Sequence, residues 1–153
     1  MNKKEIVASI LERLREEFEN RNRISKITRE VGNDAESKAE GKYDTLAIEE
    51  NYLADGLAKQ ALAAAEAMAE IEKMPLRTFA EDDTIDLGAL VEIEFPGARE
   101  WFFLAPSGGG TEVQHGGIPV TVITPESPLG SQLIGYHVGD RTSAPAAIII
   151  RLV

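Results

Sequence analysis

Asp34, Glu36, Glu40, Asp44, Glu49 and Glu50 crowd one stretch of the chain and are only partly offset by Lys38 and Lys42. Carboxylates at that density repel one another unless something neutralises them. A hard cation such as Mg²⁺ prefers oxygen ligands and often takes only one or two carboxylates from a protein. A plainer reading is a solvated turn, with Asp and Glu suited to the start of a following helix by its dipole. Other candidate groups carry less chemistry. His115 and His137 lie in unrelated segments, and Ser107-Gly108-Gly109-Gly110 lacks the Lys and Ser/Thr of a phosphate loop. Arg13, Arg15, Arg21, Arg23, Lys26 and Arg29 could guide a nucleic-acid strand. Interspersed with Glu12, Glu16, Glu17 and Glu19, they read more simply as a helix face laced with ion pairs.

Two helices must position the acidic stretch. Ile6, Ile10, Leu14, Phe18, Ile24, Ile27 and Val31 recur at helical steps, and so do Leu46, Leu53, Leu57, Ala61, Ala64, Met68 and Ile71. Neither stripe can face water alone. An antiparallel hairpin joined by residues 32–43 buries both, with arms of roughly 43 Å at 1.5 Å per residue. Helices folded back onto the rest of the chain are the alternative.

Composition changes at Met74-Pro75. All seven prolines and all but three of the 13 glycines follow that point, together with β-branched runs such as LVEIEF and AAIIIRLV. We therefore expect an α+β protein with a helical coiled-coil hairpin over 1–74, an acidic tip at about 32–50, and a small antiparallel β-sheet domain over 75–153. In VITPESPLGSQLIGYHVGD, Ser127 can cap one short helix with Pro128 at its first position, and Gly135 can end it.

A net charge of -10 and a pI near 4.7 argue against a protein that coats duplex nucleic acid. Zero cysteines exclude a disulfide framework and thiolate metal sites. The apolar run after Met1-Asn2-Lys3-Lys4 breaks at Glu12, as a helix start does and a signal peptide does not. No segment has the roughly 20 apolar residues of a membrane span. The expectation is a soluble, cytoplasmic monomer without a membrane partner.

A helical hairpin followed by ITPESPLGSQLIGYHVGD resembles the bacterial Gre transcript-cleavage factors, with Ser127, Pro128, Leu133, Gly135, Gly139 and Asp140 as the matching positions. The resemblance implies an FK506-binding-protein-like C-terminal domain, docking on RNA polymerase near Ser127, Pro128 and Leu129, and a hairpin inside the secondary channel. It also implies that tip carboxylates help hold a Mg²⁺ shared with the polymerase, which then cleaves the 3′ end of a backtracked nascent RNA. The factor itself is then not the enzyme. The family's tip reads Gly-Asp, two residues, then Glu-Asn, with Tyr soon after. Here the nearest match, YDTLAIEENY, stretches that spacing. It implies Asp44, Glu49 and Glu50 as the catalytic acids, with Asp44 and Glu50 on the metal. A competing alignment puts Gly32, Asp34 and Glu36 at the tip. The altered spacing also allows a factor that blocks the channel without cleavage. The implied C-terminal fold further raises a prolyl isomerase, for which Phe95, Trp101, Phe102 and Phe103 are the aromatic lining.

Overall fold

A computed structural model of the chain describes residues 1–38 and 44–153, without the side chains of 35–38, 44 and 46. Helix α1 spans Lys3–Lys38 and α2 spans Asp44–Lys73. Few helix breakers interrupt either segment, and Pro75, two residues past Lys73, cannot continue α2. Six strands follow: β1 Leu90–Phe95, β2 Ala98–Leu104, β3 Glu112–His115, β4 Ile118–Ile123, β5 Arg141–Ser143 and β6 Ala146–Leu152. Helix α3, Pro128–Leu133, lies between β4 and β5. The architecture is α+β, as its composition implied.

The strand order is β3-β4-β2-β1-β6-β5. Contrary to the expected antiparallel sheet, it is mixed, because β2 and β4 pair in parallel from Trp101↔Val120 to Leu104↔Ile123. The cause is β3. It turns tightly into β4 through Gly116 and Gly117, both at positive φ, and β4 then slots between β3 and β2.

The chain forms two compact units, Met1–Arg13 with Ala67–Val153, and Leu14–Glu66. This division falls inside both helices and not at Met74. In the first unit one sheet face packs Val91, Ile93, Phe102, Leu104 and Ile149 with Leu133 of α3. The alternate residues Leu90, Phe103, Val120 and Val122 are buried as well, so the sheet needs a cover on its other side. Ile6, Val7, Ile10 and Ile71, from the helix ends in the same unit, are buried too. With both sets of residues buried, β1 is buried at three of its first four positions, beyond the alternation expected of a strand with one wet face.

In the second unit Ser25 Oγ donates to the Ala54 carbonyl at 2.7 Å, and Arg29 pairs with Asp55 at 2.5 Å. A Cβ on Gly32 would lie 3.5 Å from the Ala47 carbonyl oxygen. The partner of α1 thus moves from Ala54 back to Ala47 as α1 advances from Ser25 to Gly32, which makes the pair antiparallel. The less exposed positions of α1 from 14 to 32 are 14, 17, 18, 21, 22, 25, 28 and 32, and within them 14, 18, 21, 25, 28 and 32 step by four and three, as a coiled-coil seam does.

Candidate functional site

The far end of the hairpin is set by its close approach at Gly32. A Cβ there would come within 3.3 Å of both Asn51 Oδ1 and Glu50 Cβ, so any larger residue would have to push these side chains aside by a few tenths of an ångström. The contact brings Asp34, two residues on, and Glu49-Glu50 to the same end of the pair although α1 and α2 supply them separately. Asp34 and Glu49 are exposed, Glu50 is half-buried beside Gly32, and Tyr52 is 75% exposed. The side chains of Asp44 and Glu36 lie outside the described residues. Among the described residues no group of three or more His, Asp or Glu side chains is set to hold a metal ion. Exposed Asp34 and Glu49 fit a narrower role, in which this chain gives one or two oxygens to a cation that another molecule also binds.

Along the same arm the basic residues are largely engaged. Arg21 pairs with Glu17, Arg29 with Asp55, and Arg23 donates to Asn20 Oδ1 at 2.8 Å. Ile24, Ile27, Val31 and Leu53 are exposed, Ile27 at 53%, whereas Ser25 is buried between them. The apolar repeat read from the sequence therefore lies beside the seam in this part of α1 and not in it.

The Ser127 motif is built differently. Ser127 is the N-cap of α3: its Oγ accepts from Gly130 N at 3.0 Å and donates to the Thr124 carbonyl at 2.7 Å. Both interactions are local, so the hydroxyl shapes the helix entry. A Cβ on Gly130 would sit 2.0 Å from Thr124 O, which only glycine avoids. Pro128 and Ile134 remain exposed, while Leu129 packs against the core. Gly135, at φ +81°, ends the helix and donates to the Ile85 carbonyl at 2.9 Å. Gly139 donates to Ile149 O at 2.8 Å, and Asp140 accepts from His137 N at the same distance. Gln132 was not singled out from sequence. It braces α3 against β5 by donating to Ala144 O and accepting from Ser143 N and Ala144 N. Only its polarity on a short apolar helix hinted at this.

Each histidine faces one carboxylate. His137 Nδ1 lies 3.6 Å from Asp140, and His115 Nδ1 lies 3.7 Å from Glu5. Trp101, Phe102 and Phe103 are buried in the sheet, and Phe95 alone of the four aromatics lines the open cavity of about 400 Å³ beside Arg141 and Ile148. That spends most of the aromatic surface a prolyl-isomerase site would use.

No protein-family model matches the chain, and no curated protein matches it. Among solved structures, the chain is similar to GreA factor homolog 1 (Gfh1) of Thermus thermophilus at 21% identity, over 97% of this chain and 93% of that one, with a TM-score of 0.37. A structure of the transcription factor Gfh1 matches at 19% identity over 94% and 93%, TM-score 0.34. Thermus aquaticus Gfh1 matches at 20% identity over 94% and 90%, TM-score 0.35. Among the described residues no helix is long and apolar enough to cross a membrane.

Proposed function

We propose that the chain is a Gre-like accessory factor that binds RNA polymerase through its secondary channel and stimulates cleavage of backtracked RNA. The observation that carries this reading is the antiparallel pairing at Gly32, which gathers exposed Asp34 and Glu49 from two helices at one end of a hairpin. Exposed Ile24, Ile27, Val31 and Leu53 along the arm support it, because grouped apolar side chains on a charged helix pair suit a protein partner. The Ser127-Pro128 helix, with Leu129 anchored in the core, is the proposed dock on the polymerase surface. Asp44 and Glu50, with Glu49 beside them and Asp34 and Glu36 as the alternative pair, are the proposed ligands of a Mg²⁺ shared with the polymerase. That ion would supply Lewis-acid polarisation of the phosphodiester and an activated water. The polymerase remains the enzyme in this scheme, and the chain contributes carboxylates and their placement.

The test is to stall purified polymerase in a backtracked state and add the protein with Mg²⁺. Shortened RNA is expected. Demonstrated binding without shortening rejects the cleavage role.

One observation favours a second reading, a channel-blocking regulator without cleavage. Glu50 Cβ packs toward Gly32 in the helix seam, so part of this side chain serves the hairpin's own contact. In that case the Asp44→Ala, Glu50→Ala double variant inhibits polymerase as well as wild type does. Loss of inhibition in the double variant argues for the metal-holding role.

A further inference from the structure

Lys3 stands at the start of α1, and its surroundings are unusual for a lysine. Its Nζ donates to the Arg77 carbonyl at 2.8 Å and lies 4.7 Å from the centroid of the buried Phe79 ring. The Arg77 guanidinium lies over the same ring at 4.1 Å. Two cations thus share one aromatic ring. Arg77 also reaches Asp83 at 3.8 Å and Asp86 at 4.0 Å, whereas Lys3 has no carboxylate partner among the described residues.

Four effects act on the Lys3 ammonium. The carbonyl and the ring favour it, while partial burial and the neighbouring guanidinium oppose it. The opposing pair wins: desolvation first, then Arg77, lowers its pKa from 10.5 to about 8. A lysine with the ordinary value keeps only about one amine in a thousand unprotonated near pH 7.5, whereas this one keeps a sizeable fraction. The free amine is the nucleophile, and a side chain that is only half-buried still admits a small reagent.

We propose that Lys3 is an acyl-acceptor site, at which small acyl phosphates react in preference to the chain's other lysines. The neutral Nζ attacks the acyl carbonyl, a C–N bond forms, the C–O bond to phosphate breaks, phosphate leaves and the Nζ proton passes to solvent. No oxidant or reductant is involved. The product keeps one N–H for the Arg77 carbonyl but loses the positive charge, which ends the opposition between the two cations over Phe79. Acylation therefore acts on the tie between the first turn of α1 and the segment leading to the sheet. Asn2 N donates to His115 Nε2 beside it, so the same turn is also held to β3. None of this depends on polymerase binding.

The experiment treats the native full-length protein with acetyl phosphate at pH 7.5, follows each site by digestion after glutamate, and separates Met1, Lys3 and Lys4 by fragment ions. Lys3 is expected to acetylate roughly tenfold faster than Lys59 and Lys73, with a rate that rises through a midpoint near pH 8. Urea should abolish the preference, and Arg77→Gln should reduce it several-fold by removing the opposing cation. A Lys3 rate no greater than that of Lys59 and Lys73 overturns the proposal. So does a preference that persists in urea, because the folded cluster would then not be its source.

Discussion

The two compact units solve the burial problem in opposite ways. The sheet unit encloses large side chains, among them Phe103, Leu90, Ile93, Ile10 and Ile71, on both sides of the strands. The hairpin unit closes over Ala47, Ala54, Ala61, Ala64, Ser25 and Gly32, and leaves Ile24, Ile27, Val31 and Leu53 exposed. In the first, stability comes from the apolar area removed from water, at about 25 cal/mol per Å². In the second, beyond buried Leu14 and half-buried Phe18, small residues let two backbones approach while Ile24, Ile27, Val31 and Leu53 stay outside. A hairpin of this kind stays specific in register while gaining little from burial.

The strongest way to break the comparison is within the sheet unit. Gly130→Ala places a methyl 2.0 Å from Thr124 O and 2.8 Å from Ser127 Oγ, so α3 must leave its cap or the strand end must move. A loss of more than about 3 kcal/mol is expected in urea denaturation. A loss under about 1 kcal/mol would show that the close approach is not enforced by the surrounding core.

A matched pair of isoleucines tests the contrast directly. Ile93 is fully buried, and Ile93→Ala should destabilise by about 2–5 kcal/mol through lost transfer energy and the cavity left behind. Ile27 is 53% exposed, and Ile27→Ala should change stability by no more than about 0.5 kcal/mol. Comparable losses at the two sites would mean that the hairpin flank is packed after all.

Two glycines sharpen the point within the hairpin. Gly56 has nothing within 4 Å of a built Cβ, so Gly56→Ala should stabilise by about 0.5–1 kcal/mol, the usual gain in a helix interior. At Gly32 the same methyl meets Glu50 and Asn51 at 3.3 Å, and the propensity gain is offset by the contact. Gly32→Ala should be neutral or destabilising, by up to about 1 kcal/mol, in the same urea denaturation. Equal gains at both positions would deny that Gly32 sets the helix spacing.

These cases also show what the amino-acid order reveals and what it hides. Helical periodicity located α1 and α2 because long segments without proline leave few other options, and Ser127-Pro128 announced α3 because capping is local chemistry. The seam near Ser25 stayed hidden: an apolar repeat marks Ile24, Ile27 and Val31, while close helix approach selects small residues that no hydrophobic pattern flags. Strands β3 and β5, with sequences EVQH and RTS, carry too few apolar residues to stand out, and the parallel β2–β4 pairing depends on the placement of β3. Of the candidate site, Asp34 and Glu49 were legible as charge, but their meeting at one end follows from the Gly32 contact, which is tertiary. The Lys3 cluster joins residues 74 positions apart and leaves no local trace.

Lys3 yields the smallest effect and the one with a defined pH signature. Its folded pKa of about 8 lies below the unfolded 10.5, so the fold disfavours the charged form. Below pH 8 both states are protonated and the native protein carries the full penalty. Between pH 8 and 10.5 the native state sheds its proton while the unfolded chain keeps it, and stability rises with pH. Lys3→Met keeps most of the apolar stem and removes this titration. Its stability relative to wild type should therefore fall as pH rises through that window, by no more than about 1 kcal/mol because solvent screens a half-exposed amine. Lost contacts to Arg77 O and Phe79 add a constant offset, so the slope with pH carries the information and the absolute difference does not. Parallel curves for the two proteins from pH 7 to 10 would show that the amine titrates like an ordinary surface lysine. The enhanced acyl reactivity would then lose its physical basis as well.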